Sequence, residues 1–395
     1  MRMAEIGRCG DTGVDRAAFS AEDRAARRLL FEWARGCKLE TRQDWAGNLF
    51  LRYPGLKSEL PCVLTGSHLD SQPTGGRFDG TFGVLAGLEA AETLAESRIR
   101  PLRPIEVVAW SNEEGSRFAP GMMGSQVFAG SLSIEDVGRE RDAGGTELAT
   151  ALRETLASLP EVPIVGRRET PSAYLEAHIE QGPRLEREGV PIGVVSGIQG
   201  CLWLEYEVLG ASAHAGTTPQ DSRSDALEGA MCLIESLRRG CIAHSPDCRF
   251  TVGRIRVDPN TPNTIPGRVV FTVDFRCPDP TLFERISREL RCAEAPPRFR
   301  LAVRELLRHA PEAFAPGPML AITDAARELG YAQIEMTSGA FHDAHSLVQM
   351  CPVGMVFVRC RGGISHNALE YAEPEDLAAG TEILTRALIR LAMIE

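Results

Sequence analysis

The chain has 395 residues, 43% of them hydrophobic, and a formal net charge of −11. That length exceeds one average domain and suits two, with enough apolar material for a real core. The acidic balance, with no basic block, argues against a nucleic-acid or anionic-membrane surface, and no run reaches the ~18 apolar residues of a membrane span. The opening Met-Arg-Met-Ala-Glu lacks the apolar core of a signal peptide, and the eleven cysteines are scattered with no C-x-x-C pair. The expectation is a cytoplasmic protein with reduced thiols.

Residues 1–19 are rich in Gly and Asp and read as irregular. Ser20-Ala-Glu-Asp23 is a helix start, and Ala25, Leu29, Leu30 and Trp33 recur at helical spacing until Gly36. Asp44-Trp-Ala-Gly-Asn48 is turn chemistry before a short strand over 49–53. A strand over 62–66 runs into Gly66-Ser-His-Leu-Asp70 and on to Asp79, written out GSHLDSQPTGGRFDG. A helix over 81–97 follows, then a strand over 105–110 that ends in Ser-Asn-Glu-Glu-Gly. Residues 131–160 read as mostly helical and polar. A strand over 173–179 ends in Glu-Gln-Gly, and a short helix leads to a strand over 191–196. Strands alternating with helices predict an α/β fold, its sheet partly parallel and flanked by helices.

The texture changes near Gly197. Strand 201–209, helix 224–239, strands 249–257 and 269–277, helix 281–292 and strand 298–306 give the order β-α-β-β-α-β, the ferredoxin-like split unit. The Pro-rich stretch Pro311–Pro318 returns the chain to the α/β pattern, with helix 318–329, strand 353–358 and helix 374–393. The expected organisation is one domain from 1–197 and 311–395, with 198–310 inserted in it.

Polar residues gather where strands end, which is where open α/β sheets bind ligands. His68 and Asp70 follow one strand and Asp79 lies on the same loop. Glu113 and Glu114 follow the next, His178 ends a third, and His366 in Gly-Gly-Ile-Ser-His-Asn follows strand 353–358. Singly each has an ordinary reading: a core histidine, a solvated acidic turn. Converging on strand ends, they form a mixed set of histidines and carboxylates that suits zinc, manganese, cobalt or nickel rather than calcium. Even five ligands from this set exceed one open tetrahedral zinc and fit two ions about 3.5–4 Å apart with a bridging carboxylate.

Eight segments in order resemble the M20-type amidohydrolases of the hydantoinase/carbamoylase group, which includes N-carbamoyl-L-amino acid hydrolases, β-ureidopropionase and allantoate amidohydrolase. They are GSHLDSQPTGGRFDG, SNEEGSRFAPGMMGS, EAHIEQGPRLE, SAHAGTTP, PNTIPG, VDFR, SGAFHDA and GGISHN, and the DWAGN turn agrees. The resemblance spans residues 20–390, and EAHIEQG is similar to this group rather than to the peptidase branch. It implies a metallopeptidase-like catalytic domain, with the insertion serving as lid and dimerisation domain. It implies His68, Asp79, Glu114, His178 and His366 as ligands of two divalent ions per subunit, with Asp79 bridging. Asp70 would orient His68, and Glu113 would be the general base toward the attacking water.

On the substrate side the resemblance implies His214 as oxyanion stabiliser, a group typically worth about 3–4 kcal/mol of barrier. It implies Gln181, Asn263, Arg276, Gly339 and His342 as substrate contacts, Arg276 gripping a carboxylate in bidentate fashion. His214, Asn263 and Arg276 fall in the insertion, so catalysis is expected to need closure, and some of these groups could serve the neighbouring subunit of a homodimer. The implied reaction is hydrolysis of the ureido C–N bond of an N-carbamoyl-L-amino acid to amino acid, CO2 and ammonia. Allantoate amidohydrolase is the alternative, and an aminoacylase or dipeptidase is the third. A binding protein on an inactive hydrolase fold would lack a ligand or the base, and none is missing. One departure stands out: Phe341 occupies a place where the group has a small residue, and His345 follows it, expected on a helix surface.

Overall fold

A computed structural model describes residues 2–166 and 170–394. The chain divides into two compact units, Met1–Gly197 with Ala313–Glu395, and Ile198–Glu312.

The larger unit is an α/β fold on a nine-stranded mixed sheet. From Ile192–Ile198 to one edge the strands run in the order Ile192–Ile198, Val353–Val358, Ala173–Ile179, Val63–His68, Ile105–Trp110, Leu49–Tyr53 and Glu40–Gln43. Four of these, from Val353–Val358 to Ile105–Trp110, are mutually parallel. The others pair antiparallel at the flanks. Val63–His68, Ile105–Trp110, Ala173–Ile179 and Val353–Val358 are buried at every position, as expected for parallel strands covered on both faces.

Helices Thr81–Glu96, Pro316–Glu328 and Pro374–Ala392 share the main apolar core with the sheet. Each Leu, Val or Ile enclosed there contributes about 1.5–3 kcal/mol relative to leaving it in water. Gly83 and Gly87, four apart on the first helix, remove side chains where a Cβ would strike the carbonyl of Ala177 and the side chain of Val107. The helix therefore lies close against the strands. Helix Ala21–Gly36 begins where the sequence places it, Ser20 accepting a hydrogen bond from the Asp23 backbone N–H.

Three stretches differ from the sequence reading, the first being residues 1–19, where Arg2–Glu5 forms a 3-10 turn and Arg8–Cys9 pairs with Gly13–Val14. Residues 131–160 hold only the short helices Ile134–Val137 and Leu148–Ala157, separated by turns around Gly144 and Gly145. Gln333–Ser338 is a strand that the sequence conceals, because among the described residues it pairs with Ile192–Ile198 alone and buries only Met336 and Ser338.

The smaller unit is a four-stranded antiparallel sheet in the order Arg249–Asp258, Arg268–Cys277, Gly200–Leu209, Arg300–His309. Helices Ala226–Ile242 and Pro280–Arg291 complete the order β-α-β-β-α-β. Asp225 and Asp279 cap them through their carboxylates. Alternate residues of Arg268–Cys277 are buried, and Val269, Phe271, Val273 and Phe275 meet Phe283, Ile286 and Leu290 in one core. Tyr206 and Phe271 stack there with ring centres 5.0 Å apart.

Candidate metal centre

The parallel strands bring their carboxyl ends to one edge of the larger unit. His68 is the last residue of its strand and lies in register with Trp110, after which the chain turns into Ser111–Glu114. His178 is paired with Phe357, one residue before the end of Val353–Val358. The loop beyond that strand carries His366.

These loops converge on Asp79. His178 Nε2 lies 3.2 Å and His68 Nε2 3.7 Å from Asp79 Oδ1. His366 Nε2 lies 3.3 Å from Oδ2 and 3.5 Å from Glu114 Oε2. Two groups of possible ligand atoms result, His68-Asp79-His178 and Asp79-Glu114-His366, and Asp79 belongs to both. Each buried histidine ties Nδ1 to a backbone carbonyl, His68 to Asp70 and His178 to Ile179, both at 2.9 Å. A carbonyl only accepts, so Nδ1 carries a hydrogen and Nε2 is the atom that faces Asp79, open to a proton or a cation.

The local backbone is held in rare conformations to do this. Asn112, Gln181 and His366 all have φ near +50°, a region that costs a non-glycine residue about 1–3 kcal/mol unless its surroundings hold it there. Asn112 is locked by its side-chain amide, which donates to the carbonyls of Phe118 and Pro120 at 2.8 and 3.1 Å. Gly80 has φ +60°, and a Cβ there would run into the His68 ring. Its backbone N–H donates to His178 Nε2 at 3.3 Å.

The electrostatics are those of a site short of positive charge. Burial, followed by Asp343, Glu114, Asp70 and Asp79, pushes Glu113 well above the usual carboxylate range. Burial and Asp79 push Glu114 up to about 8. Burial pulls His178 down, but the hydrogen bond and charge of Asp79 outweigh it and lift the ring to about 9. The hydrogen bond to Asp79 lifts His366 to about 9 against burial. Crowded acids beside histidines whose Nε2 atoms face them fit divalent cations by both donor chemistry and charge.

Asp70 divides its work differently from the sequence expectation. Its backbone carbonyl holds His68, while its carboxylate oxygen sits 3.9 Å from the ring, beyond a hydrogen bond. Both oxygens of that carboxylate accept backbone N–H groups instead, Glu113 at 3.3 Å and Glu114 at 3.2 Å. Asp70 thus sets the chain that carries the expected base. Glu113 Oε2 lies 3.5 Å from His68 Nε2.

The expected substrate contacts separate into three places. Gln181 sits on the ligand cluster itself, its Nε2 2.9 Å from Asp79 Oδ2. His342 is buried behind His178, ring centres 4.5 Å apart, with Nε2 3.0 Å from the Ser338 hydroxyl, and Gly339 lies in the exposed turn between them. Phe341 meets His345 edge to face at 5.1 Å. In the smaller unit, a two-stranded ribbon pairs His214 with Thr264, and the Ala215 N–H donates to the Asn263 carbonyl, so His214 and Asn263 are neighbours. Arg276 is held by Asp274, Nε and a terminal nitrogen each 3.1 Å from a different carboxylate oxygen.

A third grouping, Glu176, His178 and His342, is already satisfied. Glu176 accepts from the hydroxyls of Ser67 and Tyr174 and from the Ala344 N–H. Two residues of the cluster escape the sequence reading. Gln72 donates to Glu114, and the Ser365 hydroxyl lies 3.1 Å from Asp79 Oδ2. Both stand inside the segments GSHLDSQPTGGRFDG and GGISHN, which are their only signal.

Histidines and carboxylates meeting at the carboxyl ends of parallel strands mark a metal-dependent hydrolase of α/β type. The sequence model described as Peptidase family M20/M25/M40 matches residues 64–390, and the chain belongs to that family. It is 38% identical over 405 residues to an N-carbamoyl-L-amino acid amidohydrolase of Geobacillus stearothermophilus, covering 100% of this chain and 97% of that one. It is 34% identical over 396 residues to an allantoate amidohydrolase of Bacillus subtilis, covering 99% and 95%. Among solved structures, an amidase of the hydantoinase/carbamoylase family from Burkholderia multivorans superposes with a TM-score of 0.93 at 42% identity, covering 100% and 96%.

Proposed function

We propose that this protein hydrolyses the ureido C–N bond of an N-carbamoyl-L-amino acid, giving the amino acid, CO2 and ammonia. The observation that carries the reading is Asp79, whose two oxygens face different groups of ligand atoms. The choice of a ureido acid rests on the full-length likeness to the carbamoylase. Allantoate, itself a ureido acid, is the second reading, favoured by the allantoate-hydrolysing relative.

His68, Asp79, Glu114, His178 and His366 would hold two divalent ions, zinc, manganese, cobalt or nickel. Bound there, the ions would acidify water and polarise the ureido carbonyl. Glu113, whose Oε2 lies 3.5 Å from His68 Nε2, takes the proton from the attacking water and returns it to the departing amino nitrogen. The carbamic acid so formed breaks down to CO2 and ammonia. We assign His214 to the oxyanion and Arg276 to the substrate carboxylate, with Asn263, Gln181 and the Gly339–His342 turn as further contacts.

The metal-binding role belongs in this reading to the larger unit, and the lid and dimerisation roles to the smaller. A cytoplasmic location is in keeping with eleven free thiols, and we assign the dimer contact to the smaller unit on the family resemblance alone. No helix among the described residues is long and apolar enough to cross a membrane.

The test is turnover by metal-loaded protein of N-carbamoyl-L-methionine, N-carbamoyl-β-alanine, allantoate and N-acetyl-methionine. Fastest turnover of a carbamoyl compound is expected. Turnover of the acetyl compound alone would overturn the reading.

A further inference from the structure

Glu370 lies four residues beyond His366, is 1% exposed, and has no place among the ligands, the base or the substrate contacts. Its Oε1 accepts two backbone N–H groups, those of Phe78 and Asp79, each at 3.0 Å. Its Oε2 lies 2.9 Å from the Ser365 hydroxyl. That same hydroxyl is 3.1 Å from Asp79 Oδ2. One buried carboxylate therefore grips the backbone of Asp79 and shares with the outer edge of its side chain the Ser365 hydroxyl, whose single proton serves one of the two oxygens at a time.

The chain also clears space for this carboxylate. A Cβ on Gly76 would fall among the carboxyl atoms of Glu370. Gly76 is not one of the glycines with positive φ, so its bare Cα answers to room rather than to backbone conformation. The two loops joined here come from opposite ends of the sequence, one carrying His68 and Asp79, the other His366.

We propose that Glu370 is a positioning residue of the metal centre. It fixes Asp79 so that Oδ1 faces His68 and His178 while Oδ2 faces His366. The inference rests on Asp79 being the bridging ligand. A bridge works only if both oxygens are aimed at once, and a carboxylate free to rotate about its side-chain bonds would favour one ion at the expense of the other. Groups that orient ligands in this way typically change metal affinity about 10–100-fold when removed.

Full-length protein carrying Glu370→Ala, Ser365→Ala, Glu370→Gln or Asp79→Asn is loaded with Mn²⁺ and followed by equilibrium dialysis and electron paramagnetic resonance. Glu370→Ala is expected to bind one ion tightly and the second about 10–100-fold more weakly, its spectrum passing from an exchange-coupled pair to an isolated ion. Glu370→Gln should rescue both readouts, since its amide oxygen can accept the two N–H groups and its NH2 can donate to Ser365. Ser365→Ala should weaken the second ion less than Glu370→Ala.

Two tightly held, coupled ions in Glu370→Ala would overturn the proposal while leaving Asp79 as the bridge. Two tightly held ions in Asp79→Asn would overturn the bridging assignment and the proposal with it. If circular dichroism shows Glu370→Ala unfolded, Gly76→Ala displaces the carboxylate without deleting it. Weakened binding of the second ion there supports the proposal, and unchanged binding overturns it.

Discussion

The side-chain amide of Gln72 lies 2.8 Å from Glu114 Oε2, and the Gln72 backbone N–H lies 3.1 Å from Glu114 Oε1. One residue thus holds both oxygens of an expected ligand in place. Gln72→Ala removes the side-chain half of that grip while leaving charge and ligand count unchanged. Affinity for the ion near Glu114 and His366 should fall about 10–100-fold, measured by competition with a chromogenic chelator. Binding equal to the parent protein would show that the backbone N–H alone suffices.

Glu113→Gln keeps the volume of the expected base and removes its ability to take a proton. Metal content should be retained and kcat should fall at least ~10²-fold, with KM little changed. Steady-state kinetics beside metal analysis checks this, and an unchanged kcat would remove Glu113 as base.

Asp70 acts on Glu113 and Glu114 through their backbone N–H groups. Asp70→Asn sets an NH2 group against one of those donors. Unfolding free energy should drop by about 1–3 kcal/mol, the usual cost of a buried donor left unsatisfied, and kcat should fall because the base moves. Denaturant titration and kinetics on one preparation test both. A loss of metal affinity with stability and kcat intact would mean that Asp70 serves His68 alone.

Arg276→Lys replaces a planar fork, held by Asp274 on two sides, with a single flexible ammonium. KM for a carboxylate substrate should rise about tenfold or more, while kcat changes less. The uncharged amide of the same N-carbamoyl amino acid should be indifferent to the change. Equal losses for acid and amide would take the carboxylate away from Arg276.

Metal binding should weaken as pH falls. His178 and His366 are lifted to about 9 and Glu114 to about 8, so below those values protons occupy the positions that cations need. Apparent affinity should therefore increase steadily from pH 6 to pH 9, with protons released on binding. Calorimetric titration in buffers of differing ionisation heat measures that release. Chelation should abolish activity and lower Tm, since an ion at 100 times its Kd adds about 2.7 kcal/mol to the folded state.

The cluster of candidate ligands is legible in the sequence because strand ends are. His68, His178 and the Glu113-Glu114 pair each end or follow a fully buried strand with an apolar stretch in it, and such stretches announce where a parallel strand stops. The smaller unit is legible for a similar reason, its alternating strands and capped helices each carrying a local signal. Glu370 carries none, and Gln72 and Ser365 carry only their place inside two family-like segments. They are ordinary polar residues in loops, and their roles exist only through partners up to 292 positions away. Asp70 was half legible: its spacing from His68 predicts a contact, but not that a carbonyl makes it and the carboxylate turns elsewhere. The strand Gln333–Ser338 was hidden because a single neighbour and a half-exposed surface leave no apolar period to read.

Strand Val353–Val358 lies between Ala173–Ile179 and Ile192–Ile198, bonded to one in parallel and to the other antiparallel. A ribosome releases those two strands long before the strand that separates them, a delay on the order of 10–30 s at ordinary synthesis rates. Through that interval the nascent sheet has a vacant lane with unpaired edges on both sides. The growing chain must be kept from filling the lane with a neighbour's strand, and the smaller unit, complete in itself, is free to fold while it waits. The last fifth of the polypeptide carries both the missing strand and His366, so the sheet and the candidate ligand cluster wait on the same late-synthesised segment.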